Sequence, residues 1–268
     1  MAEGDPRLFW EVARRAFRRY STYRAATVAG VATNTVFGFI RAYILIALYH
    51  QRPHLGGLDA RQAVTFAFVT QGFIMPMGVF GWTEIEDRVR SGDVVTDLYR
   101  PVDFQLYWLA QDLGRASFQF LARGIPPVVV GALFFHLVVP ADPATWAMFV
   151  LSFAAGMVVS FGTRFTLSLS AFWLIDIKGL SQILVVVTTF FGGLILPINT
   201  FPHWLEVVSR ALPFASMVQL PVEVYLGRHT GADTVAALAT QVAWAVVLLG
   251  MGRLVLARAT RKVVIQGG

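Results

Sequence analysis

The chain has 268 residues, of which 56% are hydrophobic and only 14% are charged, and its mean hydropathy is +0.61. A soluble domain averages about 45–50% apolar and about 25% charged residues, so this composition excludes a water-soluble fold and indicates a membrane protein. The sequence contains no cysteine, which excludes disulfides, thiolate zinc sites and cysteine nucleophiles, and its net charge is +6.

The first 24 residues predict a cytoplasmic amphipathic helix lying on the membrane surface. Its apolar positions recur at helical spacing and are flanked by four arginines. The apolar positions are Phe9, Val12, Ala13, Ala16, Phe17 and Tyr20. The apolar run that follows is too long for a signal peptide, so we expect the amino terminus to stay attached.

Six long apolar stretches predict six transmembrane helices. A bilayer core about 30 Å thick needs about 20 mostly apolar residues for each spanning helix. The stretches cover residues 25–49, 63–81, 118–139, 146–175, 180–196 and 234–256. The predicted fold class is therefore an all-α membrane protein, with a transmembrane domain over 25–256 and a tail over 257–268.

The basic residues indicate the orientation of these spans. Fifteen of them fall on the side of the amino terminus and four on the other side, so the positive-inside rule places both termini in the cytoplasm. Topology and contact with anionic lipid then explain most of the positive charge, and no nucleic-acid partner is expected.

Three arginines fall within or beside the predicted spans. Arg41 lies near the outer end of the first span and Arg253 near the inner end of the last, and both are expected to extend towards the membrane interface. Arg164 stands among serines and threonines, which are typical of close helix packing but also suit a transport path. Both interpretations stay open for Arg164.

Residues 82–117 form the longest predicted cytoplasmic segment. Acidic and basic residues alternate there, and helix breaks are expected at Ser91-Gly92 and Arg100-Pro101. A solvated loop has a similar charge pattern, but the apolar content, which includes Val94, Leu98 and Tyr99, favours a docking surface for a cytoplasmic protein.

Residues 197–230 predict short, re-entrant outer helices between the fifth and sixth spans. Prolines at 197, 202, 213 and 221 exclude one long helix. Trp204, Leu205, Val208 and Leu212 form an apolar stripe on a short helix, so this segment is expected to be half buried in the membrane.

The sequence lacks the motifs of most membrane enzymes and pumps. It has no phosphate-binding loop of the Gly-x-x-x-x-Gly-Lys-Ser/Thr type, no His-Glu-x-x-His motif and no carboxylate at mid-membrane. We therefore expect no enzymatic activity and no ion-coupled transport. A self-sufficient carrier, an assembly factor and a membrane-embedded lipid enzyme remain as alternatives to the following interpretation.

Three stretches, in this order, resemble the permease subunit of a type-2 ATP-binding-cassette (ABC) exporter. The first is the Ser91-Gly92 turn followed by Leu98-Tyr-Arg-Pro101. The second is Ala171-Phe-Trp-Leu-Ile-Asp176 with Gly179-Leu180. The third is Phe191-Gly-Gly-Leu-Ile-Leu-Pro197, followed by Phe201-Pro202 and Leu212-Pro-Phe214. The resemblance covers nearly the whole chain.

This resemblance implies a permease half in a bacterial plasma (inner) membrane. Two halves, identical or related, would join two separate cytoplasmic ATPase chains, which hold the ATP and Mg, while this chain binds no cofactor. The coupling helix seated on the ATPase would include Asp93, Asp97, Leu98, Arg100 and Pro101, with the amino-terminal helix as a connecting helix beside it. Reversing the charges of Asp97 and Arg100 is expected to abolish transport without preventing folding.

The resemblance also implies a substrate path between the two halves, lined by spans two and five. The candidates are Phe66, Phe73, Met75, Thr188, Phe190 and Phe191, with Arg164 as a further one. Packing or lipid-facing positions are the alternative interpretation of these residues. A path of this apolar character would suit export of a hydrophobic or amphipathic substrate, either lipid-like or drug-like.

Overall fold

The computed structural model describes residues 6–80, 84–174 and 176–263, without the side chains of 262 and 263, and these ranges contain helices and no strand. The α-helices are α1 Pro6–Ser21, α2 Arg24–Gln51, α3 Ala60–Phe73, α4 Glu84–Ser91, α5 Val94–Leu98, α6 Phe104–Gln119, α7 Ile125–Phe134, α8 Pro143–Ser168, α9 Lys178–Phe191, α10 His203–Ala211, α11 Pro213–Met217, α12 Gln219–Tyr225 and α13 Ala232–Val263. The predicted all-α class is confirmed. The predicted boundary at 81–83, Ile175 and both chain ends lie outside the described residues.

Four of the predicted spans correspond to helical segments long and apolar enough to cross a membrane. They are Arg24–Gln51, Phe104–Phe134, Pro143–Phe172 and Ala232–Arg261, which correspond to the first, third, fourth and sixth predicted spans. The second and fifth correspond to α3 and α9, which have 14 residues each. At 1.5 Å per residue, each is about 21 Å long and shorter than a bilayer core of about 30 Å. The count of six spans and the orientation stay predictions.

Helix α3 is short but lies inside the protein. Every residue from Ala63 to Phe73 is buried, and the chain continues in turns over 74–80. Non-helical backbone is tolerated at membrane depth where protein surrounds it, because other parts of the chain satisfy its polar groups. The structure therefore replaces the continuous span predicted over 63–81 with a buried helix followed by turns.

The third spanning segment begins well before the predicted residue 118. Asp103 caps the helix by accepting a hydrogen bond from the backbone N–H of Leu106, so α6 begins at Phe104. A π-helical turn, Phe120–Gly124, joins α6 to α7, and Pro126 and Pro127 explain it because proline donates no backbone hydrogen bond. The last predicted residues, 135–139, are not helical. The last part of the predicted cytoplasmic segment 82–117, from residue 104 onwards, is therefore helix α6.

Helix α1 lies against α6 along much of its length. Phe17 meets Phe118 edge to face at 5.4 Å, and Ala16 is buried. Gly114 of α6 lies under the backbone of Ala13, so close that a Cβ at residue 114 would collide with the Ala13 carbonyl. The apolar face that predicted a membrane-surface helix is thus at least partly covered by protein.

The large core lies between α3, α8 and the outer helices α11 and α12. Phe73 of α3 packs on Phe153 of α8 at 4.8 Å, and Met217 and Val222 complete the contact from the outer helices. Gln241 of α13 donates hydrogen bonds to the carbonyl oxygens of Ser152 and Ser216, which joins α13 to α8 and α11. The outer segment consists of short helices, as the sequence predicts; α10 and α11 begin at or after a proline, whereas α11 and α12 are separated at Val218.

Candidate functional site

A buried ion cluster joins α6 and α8. Asp112 is only 1% exposed, and its carboxylate accepts hydrogen bonds from Arg115 at 2.8 Å and from Arg164 at 2.7 and 3.3 Å. Arg115 and Arg164 are also buried. Removing one member of such a group leaves an uncompensated charge in a low-dielectric interior, which is strongly unfavourable. This cluster therefore holds the two helices together.

The same cluster fixes the turns that follow α3. Arg115 donates hydrogen bonds to the carbonyl oxygens of Met75 and Pro76, each at 2.9 Å, and Ser160 donates to that of Met77. Gly78 has φ +61°, and a Cβ there would lie 3.0 Å from Arg164. The positive φ and the nearby guanidinium both favour glycine at residue 78. The hydrogen bonds from Arg115 and Ser160 attach the turns over 74–80 to α6 and α8.

Sequence reasoning did not find this cluster. Asp112 and Arg115 lay within the predicted cytoplasmic segment, and Arg164 was a candidate for the substrate path. The structure bonds Arg164 to Asp112, and the cavity beside it is small, about 20 Å³. An acidic residue inside an otherwise apolar helix was the available signal, because a buried carboxylate requires a cation nearby.

Helices α4 and α5 form a hairpin around the predicted coupling residues. The chain turns at Gly92, with φ +82°, where the sequence predicts a break. Asp97 is only 4% exposed and pairs with Arg88 of α4 and, at 3.3 Å, with Arg100. Asp97 therefore joins α5 to α4 within the hairpin, and its predicted part in coupling stays a prediction.

The other predicted coupling residues lie at the surface or partly under it. Asp93, Arg100 and Pro101 are exposed, and Leu98 is half-buried. Tyr99, between them, is 85% exposed, which is unusual for a large aromatic side chain. This exposed set, Asp93, Tyr99, Arg100 and Pro101, is called the hairpin tip below.

The opposite side of the hairpin is buried against the spans. Ile85 and Val94 pack into a core cluster with Trp108 of α6 and with Phe161 and Phe165 of α8. A displacement of the hairpin tip would therefore press directly on α6 and α8, the two helices that the ion cluster joins.

Helix α1 is bonded to the same hairpin. Nη1 and Nη2 of Arg19 donate to the carboxylate of Glu84, at 2.7 and 2.9 Å. These hydrogen bonds raise the pKa of Arg19. The bidentate pair links the amino-terminal helix to α4.

The structure separates the predicted path residues into different environments. Phe66 and Phe73 are buried in the core between α3 and α8, so they contact protein and no open space. Thr188 is buried beside the small cavity near Arg164. Phe190 stacks on Phe201 and meets Phe191 edge to face, at 5.2 and 5.1 Å. Of the predicted set, Met75 lines a large cavity.

That large cavity has a volume of about 750 Å³ and lies between α2, α3 and residues 194–196. Its walls are mostly apolar, and Asn34, Arg41 and Gln71 are its main polar side chains. Arg41 does not extend to the membrane interface as expected. Its Nη1 donates hydrogen bonds to the Ala67 carbonyl and to Gln71 Oε1, both at 3.2 Å. Carbonyl groups of α3 hold the guanidinium inward, so the first span contributes a cavity wall that the sequence did not predict.

Comparison with known proteins identifies a matching family model. The family model described as ABC-2 family transporter protein matches residues 36–267. No curated protein and no solved structure matches the chain.

Proposed function

Because the chain belongs to the ABC-2 transporter family, we propose that it is the membrane subunit of an ATP-driven exporter. ATP and Mg bind on a separate ATPase chain, and this subunit carries out no reaction of its own. The substrate is hydrophobic or amphipathic, and the complex contains a second permease half, identical or related. The large, mostly apolar cavity supports the substrate class, since it favours apolar groups.

The observation that carries this proposal is the continuous connection from the hairpin tip to the cavity wall. The tip exposes Tyr99 to the cytoplasmic partner, and the back of the hairpin packs on α6 and α8. Asp112 joins α6 to α8. Arg115 of α6 donates a hydrogen bond to the carbonyl oxygen of Met75, and Met75 lines the cavity. Movement of the ATPase against the tip would thus change the cavity as a rigid-body displacement.

The second half of the transporter has an available surface. Helix α2 exposes Phe37, Ile40 and Tyr43, and α9 exposes Ile183 and Val186. These apolar faces contact either lipid or the second half.

The first test is affinity purification of the tagged chain from its native cells in a mild detergent. We expect a phosphate-loop ATPase to be recovered in about equal amount, with or without a second permease. Tyr99→Ala is expected to lose most of the ATPase, because the tip loses its largest exposed side chain. Trp204→Ala is the matched control, since Trp204 is 68% exposed on the outer helix α10.

Two results would overturn the proposal. One is recovery of the chain without an ATPase under conditions that keep other membrane complexes intact. The other is transport by the purified chain alone in vesicles without nucleotide, which would favour a self-sufficient carrier.

A further inference from the structure

The cavity bounded by α2, α3 and residues 194–196 combines apolar walls with a cation. Phe37, Ile44 and Leu45 line it from α2, Ile74 from the end of α3, and Ile195 from the segment after α9. Its volume of about 750 Å³ falls within the range of about 300–1,000 Å³ of small-molecule sites. The space accommodates an extended apolar group, and the position of Arg41 decides which kind of molecule fits.

Arg41 carries a charge that its surroundings do not neutralise. Its Nη1 bonds to two neutral oxygens, while Nε and Nη2 are buried and have no hydrogen-bond partner. Among the described residues, no carboxylate lies within ion-pair distance of Arg41, whereas the buried Arg115 and Arg164 share Asp112. Burying an unpaired cation is costly, so a site of this kind favours an anion.

The neighbouring polar groups orient the Arg41 guanidinium but do not neutralise its charge. Gln71 accepts from Arg41 and donates to Asn34 Oδ1 at 3.5 Å. Arg123 adds a second positive charge nearby, since its guanidinium lies against Gly30 and the sulfur of Met75, both of which line the cavity. This part of the cavity is thus electrically positive, and the rest is apolar.

We propose that this cavity binds an anionic amphiphile. A carboxylate or phosphate head group pairs with the Arg41 guanidinium, and the apolar chain lies along α2 and residues 194–196. A guanidinium suits either head group because its planar donors match two oxygens at once. The proposal rests on the proposed function, whose substrate class it narrows.

The test measures binding to the purified chain in a neutral detergent, without ATPase or nucleotide. The probes are decanoate, decyl phosphate and decylamine, which have the same alkyl chain and differ in the charge of the head group. We expect saturable binding of one or both anions and no saturable binding of decylamine. If only one of the two anions binds, the result shows whether the site takes a carboxylate or a phosphate head group.

Variants then assign the binding to Arg41. Arg41→Gln is expected to weaken anion binding by about tenfold to a hundredfold, and Arg41→Lys by less, because lysine keeps the charge without the planar fork. Arg61→Gln is the control, since Arg61 also lies on this pair of helices but bonds to the carbonyl oxygens of His136 and Leu137. Equal binding of decylamine and the anions by the unmodified chain, or unchanged anion binding by Arg41→Gln, would overturn the proposal.

The two proposals can fail separately. Binding is measured without the ATPase, so loss of the exporter interpretation leaves the binding result intact. Conversely, Arg41→Gln is expected to recover the ATPase like the unmodified chain, because Arg41 is remote from the hairpin tip. If Arg41→Gln does not fold, the comparison of decanoate with decylamine on the unmodified chain decides the question alone.

Discussion

Arginines are buried in two regions of this membrane domain, and the two regions differ in their counter-charges. Beside the turns that follow α3, Arg115 and Arg164 share the carboxylate of Asp112, and all three join α6 to α8. At the large cavity, Arg41 has only a carbonyl and an amide oxygen as partners. The first arrangement stabilises the fold, whereas the second leaves a charge for a ligand to neutralise. The same residue type thus has opposite roles, and the presence of a carboxylate separates them.

The largest effect is expected from Asp112→Asn. The substitution leaves two buried guanidinium groups without a carboxylate, which costs about 3–5 kcal/mol. We expect the variant to aggregate or to melt far below the unmodified chain, as measured by size-exclusion chromatography and thermal unfolding in detergent. Asp233→Asn, at an exposed position in the first turn of α13, is the control. If Asp112→Asn is as stable as the unmodified chain, the Asp112 cluster does not stabilise the fold and its contrast with Arg41 fails.

A second buried carboxylate, Glu223 on α12, extends the comparison to the outer helices. Burial by itself would raise its pKa, but hydrogen bonds from His229, Arg210 and Gln219 lower it to about 2. The Glu223 contribution to stability is therefore complete above the ordinary value of 4.5 and is lost as the pH falls towards 2. It amounts to about 3 kcal/mol.

Thermal unfolding across this pH range checks the prediction. The melting temperature of the unmodified chain should fall more steeply between pH 4.5 and 2 than that of Glu223→Gln. Parallel curves for the two proteins would show that the outer cluster does not depend on this charge.

The hairpin provides an intermediate case, because Asp97 is buried while its partners reach the solvent. Reversing both Asp97 and Arg100 restores their mutual attraction but places a buried arginine against Arg88. We now expect this double variant to destabilise the hairpin by about 1–2 kcal/mol, because solvent screens part of the repulsion. A cost of this size still allows the chain to fold, as the sequence predicts. Proteolysis between α4 and α5 measures the effect, and Asp93→Arg, at an exposed residue, is the control. Equal protection of the double variant and of Asp93→Arg from the protease would contradict this prediction.

The smallest effect on stability is expected from Arg41→Gln. No carboxylate loses its partner, and removal of an unpaired buried charge offsets the lost hydrogen bonds, so stability should change by less than about 1 kcal/mol. Thermal unfolding of this variant beside Asp112→Asn gives the direct comparison of the two regions. A loss of stability as large as that of Asp112→Asn would show that Arg41 is also a structural residue.

Local features of the fold were predicted well from the sequence. The spacing of apolar residues predicted a helix over the region of α1, and glycine at 92 and the outer prolines predicted where helices end. Each of these signals acts over one or two helical turns, because dihedral preferences and hydrophobic periodicity are properties of neighbouring residues.

Features that depend on distant residues were predicted poorly. Asp112 and Arg164 are 52 positions apart, and nothing in the sequence pairs them. The charges of Asp112 and Arg115 made the beginning of α6 resemble a loop, although a buried ion cluster allows a continuous helix there. The burial of Phe73 by packing against Phe153 of α8 likewise depends on residues far apart in the sequence, and the role of Phe73 in a substrate path stays a prediction.

The sequence by itself determined an all-helical membrane protein with an amphipathic first helix, a charged segment of short helices before the third span and short helices between the last two spans, since composition and periodicity suffice for these. Only the tertiary structure decided which charges are neutralised. It placed Asp112 between two arginines, turned Arg41 towards α3 and formed a cavity beside it. Whether a buried charge stabilises the fold or attracts a ligand depends on which groups lie within a few ångströms, and only the packing of helices sets those distances.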